Sequence, residues 1–115
     1  MLQIVMPRGD RVSKSFIIRG PDKQPFTGTL DEIYFTVKKS FMDRNYKFQK
    51  KLSDGSIASV GGGRYQFTIL PEDTDGLNFE DYDFDIEVIK YNEIKKTFAG
   101  KLILTVESTH RGNEG

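Results

Sequence analysis

The sequence contains no cysteine, no tryptophan and only one histidine among its 115 residues. Without cysteine there is no disulfide framework and no Cys-based zinc site. A single histidine, His110, leaves too few nitrogen ligands for a transition-metal site, and any Ser-His-Asp triad would have to use it. Because His110 lies in a polar terminal segment, where no rigid orienting group is expected, we predict no catalytic residue, no metal site and no cofactor.

The sequence also lacks a long apolar run and an excess of charge of either sign. No segment approaches the roughly 20 apolar residues of a membrane-spanning helix. The first residues, MLQIVMPR, do not have the layout of a signal peptide. The 17 basic and 17 acidic residues balance, which argues against bulk binding of nucleic acid. We therefore expect no membrane partner, no nucleic-acid partner and no export signal.

The balanced charge conceals an asymmetry along the chain. Residues 1–60 hold 11 Lys and Arg against 6 Asp and Glu, and residues 61–115 hold 6 against 11, so the two halves carry +5 and −5. Two interpretations are open at this stage. Basic strands pair with acidic strands inside one domain, or the domain is a dipole that stacks head to tail with copies of itself as a homo-oligomer.

The clearest structural signal lies in residues 81–88 (DYDFDIEV), which alternate acidic and apolar side chains without a break. A period of two is typical of a β-strand with one face in a core and the other in water. Tyr82, Phe84 and Ile86 are therefore predicted to face the core. Tyr82 at the start of this strand, after a crossover at residues 70–77, also resembles the tyrosine corner of immunoglobulin-like folds.

Short segments of the same kind recur along the chain, separated by glycine, proline and acidic turn residues. They lie at residues 2–6, 12–19, 33–38, 46–52, 57–60, 64–70, 82–90 and 94–107. Residues 71–75 read instead as a single helical turn with proline at its first position. Seven or eight short strands predict an all-β, two-sheet antiparallel immunoglobulin-like β-sandwich. We expect one domain over residues 1–107 and a flexible tail over 108–115.

The last two strands should form a hairpin, whose register depends on the loop. A two-residue loop at Asn92-Glu93 would set Glu87 opposite Phe98 and mix the two faces. A loop of residues 92–94 instead sets Val88 against Phe98, and Asp85 against Lys101. In that register Phe84 lies opposite Leu102 and Tyr82 opposite Leu104. We predict the second register because it keeps apolar side chains on one face.

The carboxylate row of Asp81, Asp83, Asp85 and Glu87 is the most conspicuous candidate site. Calcium needs six to eight converging oxygens, but alternate carboxylates start about 6.8 Å apart along a strand. A glycosidase pair needs one carboxyl with a raised pKa across a cleft, which a water-facing row gives no reason to expect. The row is better explained as a solvated face opposite lysines such as Lys101, and we expect no enzyme.

Three other strings have ordinary structural explanations. Residues 8–10 match the three-residue integrin-recognition string RGD, but also suit a turn before the second strand. Lysines among aromatics at residues 38–51 could bind single-stranded nucleic acid, although such lysines also protect sheet edges from aggregation. Residues 61–64 (GGGR) lack the Lys-Ser/Thr and the helix of a phosphate-binding loop and predict a hairpin connection.

Several strings taken together resemble a known family. They are RGD at 8–10, DEIYFTVKKS at 31–40, FQKK at 48–51 with DG at 54–55, YQFTILPEDT at 65–74, YDFDI at 82–86 and GKLILTV at 100–106. Their order and spacing resemble small tail or baseplate domains of phages and prophages from Gram-positive bacteria, in particular the N-terminal domain of the siphophage baseplate upper protein. That domain normally heads a longer protein, whereas this chain spans one domain.

The resemblance implies a non-enzymatic structural protein of the virion tail, made in the bacterial cytoplasm. Its expected partners are other tail or baseplate proteins and, in a homo-oligomer, further copies of itself. A carbohydrate- or cell-surface-binding β-sandwich is the alternative; it predicts exposed coplanar aromatic side chains or a bound calcium. From strand parity we predict a set of interface residues that combines aromatic anchors with charged positions. They are Tyr34, Phe41, Phe79, Tyr91, Asp83, Asp85 and Lys101.

Overall fold

The computed structural model describes residues 2–91 and 93–106. In chain order the elements are β1 (Leu2–Pro7), β2 (Val12–Ile17), β3 (Glu32–Lys38), β4 (Phe48–Lys51), β5 (Ile57–Gly61), β6 (Arg64–Ile69), α1 (Pro71–Thr74), β7 (Asp81–Lys90) and β8 (Glu93–Thr105). No helix among the described residues is long and apolar enough to cross a membrane. The predicted tail at 108–115, with His110, and the domain boundary at residue 107 lie outside the described residues.

The strands form two sheets, which confirms the predicted two-sheet immunoglobulin-like sandwich. One sheet has the order β1-β8-β7-β3-β4 and the other β2-β6-β5. Neighbours in both sheets are antiparallel, except that β1 runs parallel to β8, with Ile4 opposite Leu102. The parallel pair departs from the antiparallel prediction. Because β1 and β8 are separated in the sequence by all the other strands, no hairpin turn requires them to be antiparallel.

Aromatic side chains fill the space between the two sheets. Phe35 of β3 stacks on Phe67 of β6, with ring centroids 4.1 Å apart, and tilts against Phe84 of β7 at 5.2 Å. Phe84 and Ile86 are buried, as the alternation predicted. Such offset and tilted ring pairs add to the hydrophobic free energy of burial. The five-stranded sheet therefore buries one face and leaves the acids of β7 on the other.

The tyrosine corner predicted from the sequence is present. The Tyr82 hydroxyl donates to the carbonyl oxygen of Asn78 at 3.1 Å and accepts from the Asn78 N–H at 3.0 Å. The Tyr82 ring is buried, and burial raises the pKa of the hydroxyl. These two bonds fix the segment that crosses from β6 to β7, because they satisfy both backbone groups of a residue four positions upstream.

The single helical turn α1 connects two different edges of the sandwich. Asp73 accepts from the Lys50 ammonium on β4 at 2.6 Å and from the Leu70 N–H at 2.7 Å. The next residue, Thr74, is fully buried, and its hydroxyl accepts from the Gly9 N–H at 2.8 Å in the turn between β1 and β2. A four-residue element thereby joins β4 to the β1–β2 turn.

The predicted β7–β8 register is wrong by two residues, although the assignment of faces is right. Tyr82 lies opposite Leu102, Phe84 opposite Gly100 and Ile86 opposite Phe98. Lys90 pairs with Glu93, and an irregularity between Val88 and Ile89 shifts the register by one. The predicted loop residue Asn92 lies outside the described residues. Phe84 takes its place opposite Gly100 because a glycine leaves room for the ring.

The predicted strand at residues 46–52 is shorter than expected. Its alternation predicts Tyr46, Phe48 and Leu52 on one face, but Tyr46 lies before β4 and is 51% exposed, whereas Phe48 is buried. Lys50 faces inward by parity and is buried. The ion pair with Asp73 is what permits a lysine there, because a buried ammonium without a counter-charge is strongly unfavourable.

Candidate interaction surface

The segment between β3 and β4, residues 39–47, carries exposed apolar side chains and is called here the Phe41 loop. It begins with a tight turn in which the Asp43 N–H donates to the Ser40 carbonyl at 3.0 Å, and the Met42 N–H donates to the Ser40 hydroxyl at 3.2 Å. It ends where the Lys47 N–H donates to the Val37 carbonyl at 2.7 Å. The backbone is thus closed at both ends by local hydrogen bonds.

Asp83 of β7 anchors the middle of this loop to the outer face of the five-stranded sheet. One carboxylate oxygen accepts from the Phe41 N–H at 3.1 Å, and the other accepts from the Lys101 ammonium of β8 at 2.7 Å. Asp83 is only 8% exposed. The hydrogen bond to Asp83 raises the pKa of Lys101. Three of the predicted interface residues, Phe41, Asp83 and Lys101, therefore meet at one point.

This geometry corrects the prediction of a solvated acid row. Asp83, and not Asp85, pairs with Lys101, because the register is shifted by two residues. The Phe41 loop then covers Asp83, so the carboxylate is buried instead of facing water. Among the described residues no group of three or more His, Cys, Asp or Glu side chains is arranged to hold a metal ion.

A second attachment holds the start of the loop. The Lys39 ammonium donates to the Asp81 carbonyl at 3.0 Å and lies 3.2 Å from a Glu80 carboxylate oxygen. It also lies 5.5 Å from the centre of the Tyr82 ring. The partners of Lys39 lie beside Tyr82, whose hydroxyl holds Asn78, so the loop is attached to the segment that the tyrosine corner holds in place.

Apolar side chains project from this fixed backbone into solvent. Met42 is 89% exposed and Phe41 47% exposed, and Tyr46 follows on the same loop. Lys39, Arg44 and Lys47 flank them in the sequence. Neighbouring exposed apolar residues on a loop that hydrogen bonds hold in place, with charged residues beside them in the sequence, are typical of a protein contact surface.

Asp85 occupies a different environment on the same sheet face. Its cross-strand neighbours are Ala99 of β8 and Thr36 of β3, neither of which carries a charge. Partial burial raises the pKa of Asp85, the nearby Glu87 carboxylate adds to that rise, and Lys38 opposes it. A raised pKa in this row could not be predicted from the sequence, because the burial of Asp85 depends on strands that are distant in sequence.

The raised pKa leads to a prediction about stability and pH. In the unfolded chain the Asp85 carboxyl titrates near 3.8. Above that pH the folded protein must either take up a proton at Asp85 or keep its negative charge in a partly buried site. Asp85 therefore destabilises the fold progressively as pH rises from about 3.8 through its folded pKa. We expect Asp85→Asn to raise the free energy of unfolding at pH 7 and to leave it unchanged below pH 3.8. Urea denaturation at both pH values measures this, and equal effects at both would contradict it.

The remaining predicted residues lie elsewhere on the molecule. Tyr34 of β3 is half-buried on the outer sheet face between Lys51 and Glu87. Phe79 lies beneath the Arg8 guanidinium, 4.1 Å from its ring centre. Tyr91 is exposed at the opposite end of β7 from the Phe41 loop. The seven predicted residues therefore do not form a single patch.

The RGD string at residues 8–10 has the structural role of a turn. Gly9 has a positive φ of 84° and donates its N–H to Thr74. The Arg8 side chain donates to the Leu77 carbonyl at 3.1 Å. Because the Arg8 side chain is hydrogen-bonded to the segment after α1, it is not free to bind another protein as the arginine of a recognition string would be.

The two charge halves of the sequence interleave in the fold. Lys39 with Glu80 and Lys50 with Asp73 each join a cation from the first half to an acid from the second. Lys38 of β3 also lies opposite Asp83 of β7. This arrangement agrees with the interpretation in which basic strands pair with acidic strands inside one domain.

An apolar cleft of about 320 Å³ opens at the far end of the sandwich from the Phe41 loop. Its lining includes Ile18, Phe26, Leu30 and Val88, with Lys90 among the charged residues. The Lys90 ammonium donates to the Thr29 carbonyl and lies 4.7 Å from the centre of the Tyr91 ring. The predicted anchor Tyr91 thus lies beside this cleft.

Sequence reasoning missed three features of the site. Met42, the most exposed apolar side chain of the Phe41 loop, directly follows Phe41 but belongs to no periodic pattern. Tyr46 is exposed because β4 begins at Phe48, two residues later than the start of the predicted strand. The partner of Lys50 could have been sought, since an inward-facing lysine requires an acid nearby, but nothing in the sequence identifies Asp73 as that acid.

No protein-family model matches the sequence, and no curated protein matches it. Among solved structures, the endo-β-1,4-mannanase from Thermotoga petrophila is similar with a TM-score of 0.58 and 12% identity, over 90% of this chain and 18% of the mannanase. The NK cell receptor Nkp44 aligns with a TM-score of 0.47 and 14% identity, over 90% of this chain and 96% of its own. At such identities the likeness to the mannanase concerns the fold alone.

Proposed function

We propose that this domain is a non-enzymatic protein–protein interaction module that serves as a structural part of a phage or prophage tail or baseplate. The observation that supports an interaction module is the Phe41 loop, which presents exposed apolar side chains on a backbone fixed by Asp83. Binding to a partner then costs little conformational entropy, because the loop is ordered beforehand. The virion tail as location, and other tail or baseplate proteins as partners, come from the sequence resemblance.

The loop also indicates the chemistry of the partner surface. Met42 and Phe41 supply an apolar centre, and Arg44 and Lys47 supply positive charge in the same loop, beside the acid Asp43, whereas Lys39 is already paired with Glu80. Such a centre suits an apolar pocket on the partner, and the cations suit carboxylates at its rim. Central apolar anchors carry most of the affinity, whereas rim charges mainly raise the association rate.

A carbohydrate-binding function has less support from the same surface. A sugar platform requires two or three aromatic rings that are exposed and coplanar on one face. Here the exposed aromatics are divided between the Phe41 loop and the far end of β7, where Tyr91 lies. Phe79 is covered on one side by Arg8.

A substitution in the loop tests the proposal. We expect Met42→Asp to weaken binding to the partner tail protein at least tenfold, equivalent to about 1.4 kcal/mol, because it places a charge at the apolar centre. The stability should not change, since Met42 is almost fully exposed. Isothermal titration against purified tail proteins from the same phage genome measures the affinity.

Val60→Asp is the matched control, because Val60 is exposed on β5 of the other sheet. It makes the same change of charge at a comparable apolar residue and should bind as the unsubstituted protein does. Equal loss in both variants, or binding that survives Met42→Asp, would contradict a role for the Phe41 loop. Failure to bind any tail protein, combined with binding to cell-wall polysaccharide, would favour the carbohydrate alternative.

A further inference from the structure

The four edge strands of the sandwich differ in how well they are protected against pairing with another chain. Natural edges are protected by inward-pointing charges or by bulges. On β4 the inward Lys50 serves this purpose, and on β2 the exposed Lys14 lies opposite the buried Phe67. On β5 the pairing is irregular between Ser59 and Gly61. Strand β1, LQIVMP, has no charged residue and no bulge.

The hydrogen-bond pattern shows which backbone groups of β1 point outward. At the end of the parallel ladder the Arg8 N–H donates to the Thr105 carbonyl at 3.1 Å. Because bonding residues alternate in a parallel pair, the backbone groups of Ile4 and Met6 also point toward β8. Those of Gln3 and Val5 point to the open edge, where no described residue pairs with them.

The row of outward hydrogen-bonding groups on β1 ends at Pro7. Proline has no N–H, and the Pro7 carbonyl accepts from the Asp10 N–H at 3.3 Å. The edge therefore offers two donors and two acceptors, one of each from Gln3 and from Val5. Leu2 and Val5 on the same strand are 50% and 57% exposed, so the edge also carries apolar surface that a partner strand could cover.

We propose that β1 pairs with β1 of a second copy of this chain, antiparallel, with Ile4 opposite Ile4 of the other copy. In this register Gln3 lies opposite Val5 of the other copy, and each pair exchanges two hydrogen bonds. All four outward groups are then satisfied. Leu2 packs next to Met6 and Val5 next to Gln3, so the exposed apolar side chains are covered and the two five-stranded sheets become one ten-stranded sheet.

A copy of the same strand is the occupant that these observations favour. A two-fold axis at Ile4 makes the donors of one strand meet the acceptors of the other, which is the self-complementarity of an isologous interface. No like charges oppose each other across it, because β1 carries none. The interface is separate from the Phe41 loop, so its formation does not depend on the function proposed above.

The matched variants Val5→Pro and Val5→Thr test this pairing. Proline removes one outward N–H and no bond to β8, and is tolerated on edge strands, whereas threonine keeps the N–H and the branched shape. By sedimentation equilibrium of the full chain we expect a concentration-dependent dimer whose Kd rises at least tenfold in Val5→Pro and less than threefold in Val5→Thr. Raising NaCl from 50 to 500 mM should leave the Kd within twofold, since no charge is involved.

Amide hydrogen exchange provides a second measurement on the unsubstituted protein. The N–H groups of Gln3 and Val5 should become protected as concentration rises, while those of Ile4 and Met6 are protected throughout. A monomer at all concentrations, a dimer indifferent to Val5→Pro, or a dimer that dissociates in salt would overturn the proposal. If Val5→Pro does not fold, the exchange pattern of Gln3 and Val5 decides the matter alone.

Discussion

Asp73→Ala is expected to lower the free energy of unfolding by about 3–5 kcal/mol, because it breaks a buried ion pair. The side chains of Lys50 and Asp73 are only 8% and 15% exposed. Removing the carboxylate leaves the Lys50 ammonium inside the sandwich without a counter-charge. It also removes the acceptor of the Leu70 N–H at the start of α1.

Two further variants separate these contributions. Asp73→Asn keeps an oxygen that can accept from Leu70 but loses the charge, so it should retain part of the stability. Lys50→Met removes the buried cation and leaves the Asp73 carboxylate, which is 15% exposed and keeps its bond from the Leu70 N–H, so it should cost less stability than Asp73→Ala. Urea unfolding of the three variants should therefore rank Asp73→Ala as the least stable. A cost below about 1 kcal/mol for Asp73→Ala would show that Lys50 reaches water without difficulty.

Gly100→Ala is expected to destabilise the fold by at least about 2 kcal/mol, the upper part of the range for overpacked cores. A Cβ atom at residue 100 would lie 2.5 Å from the Leu2 carbonyl oxygen and 2.5 Å from the Phe84 ring. The Phe84 ring could rotate at some cost, but the Leu2 carbonyl belongs to the backbone of β1. The substitution should therefore push β1 away from β8 at the start of their parallel pairing.

Gly76→Ala is the control, because a Cβ atom there meets nothing within 4 Å. It should leave stability unchanged or raise it slightly by restricting the unfolded chain. Thermal unfolding compares the two variants. Faster amide exchange at Ile4 in Gly100→Ala would show that the damage is local to β1. Equal stability of both variants would mean that β1 moves aside without loss of its hydrogen bonds.

These features assign separate tasks to separate parts of a small domain. The aromatic core and the tyrosine corner hold the two sheets together. Asp83 fixes the Phe41 loop on the outer face of one sheet, and the edge of β1 remains open at one side of that sheet. The Phe41 loop and the β1 edge therefore lie outside the core, and a change in either need not disturb the packing between the sheets.

The sequence alone determined the class of fold and which side chains of β7 face the core. The alternation in residues 81–88 was enough to place Tyr82, Phe84 and Ile86 in a core, because the two-residue period of a strand is a local property. Pro71 and Gly76 likewise marked the two limits of the helical turn, because proline restricts the backbone at its own position and glycine frees it. The tyrosine corner could be predicted because its partner, Asn78, is only four residues away.

Only the tertiary structure decided the contacts between distant segments. The β7–β8 register depended on Phe84 finding space above Gly100, and a change of two residues preserves the faces, so periodicity could not detect it. In that register Lys101 lies opposite Asp83 and forms an ion pair with it, and the Phe41 loop covers the Asp83 carboxylate. Strand β1 became an open edge only through its parallel pairing with β8. The two-residue period of a strand determines which sheet face a side chain lies on, but the residues it contacts depend on which strands pair and in which register.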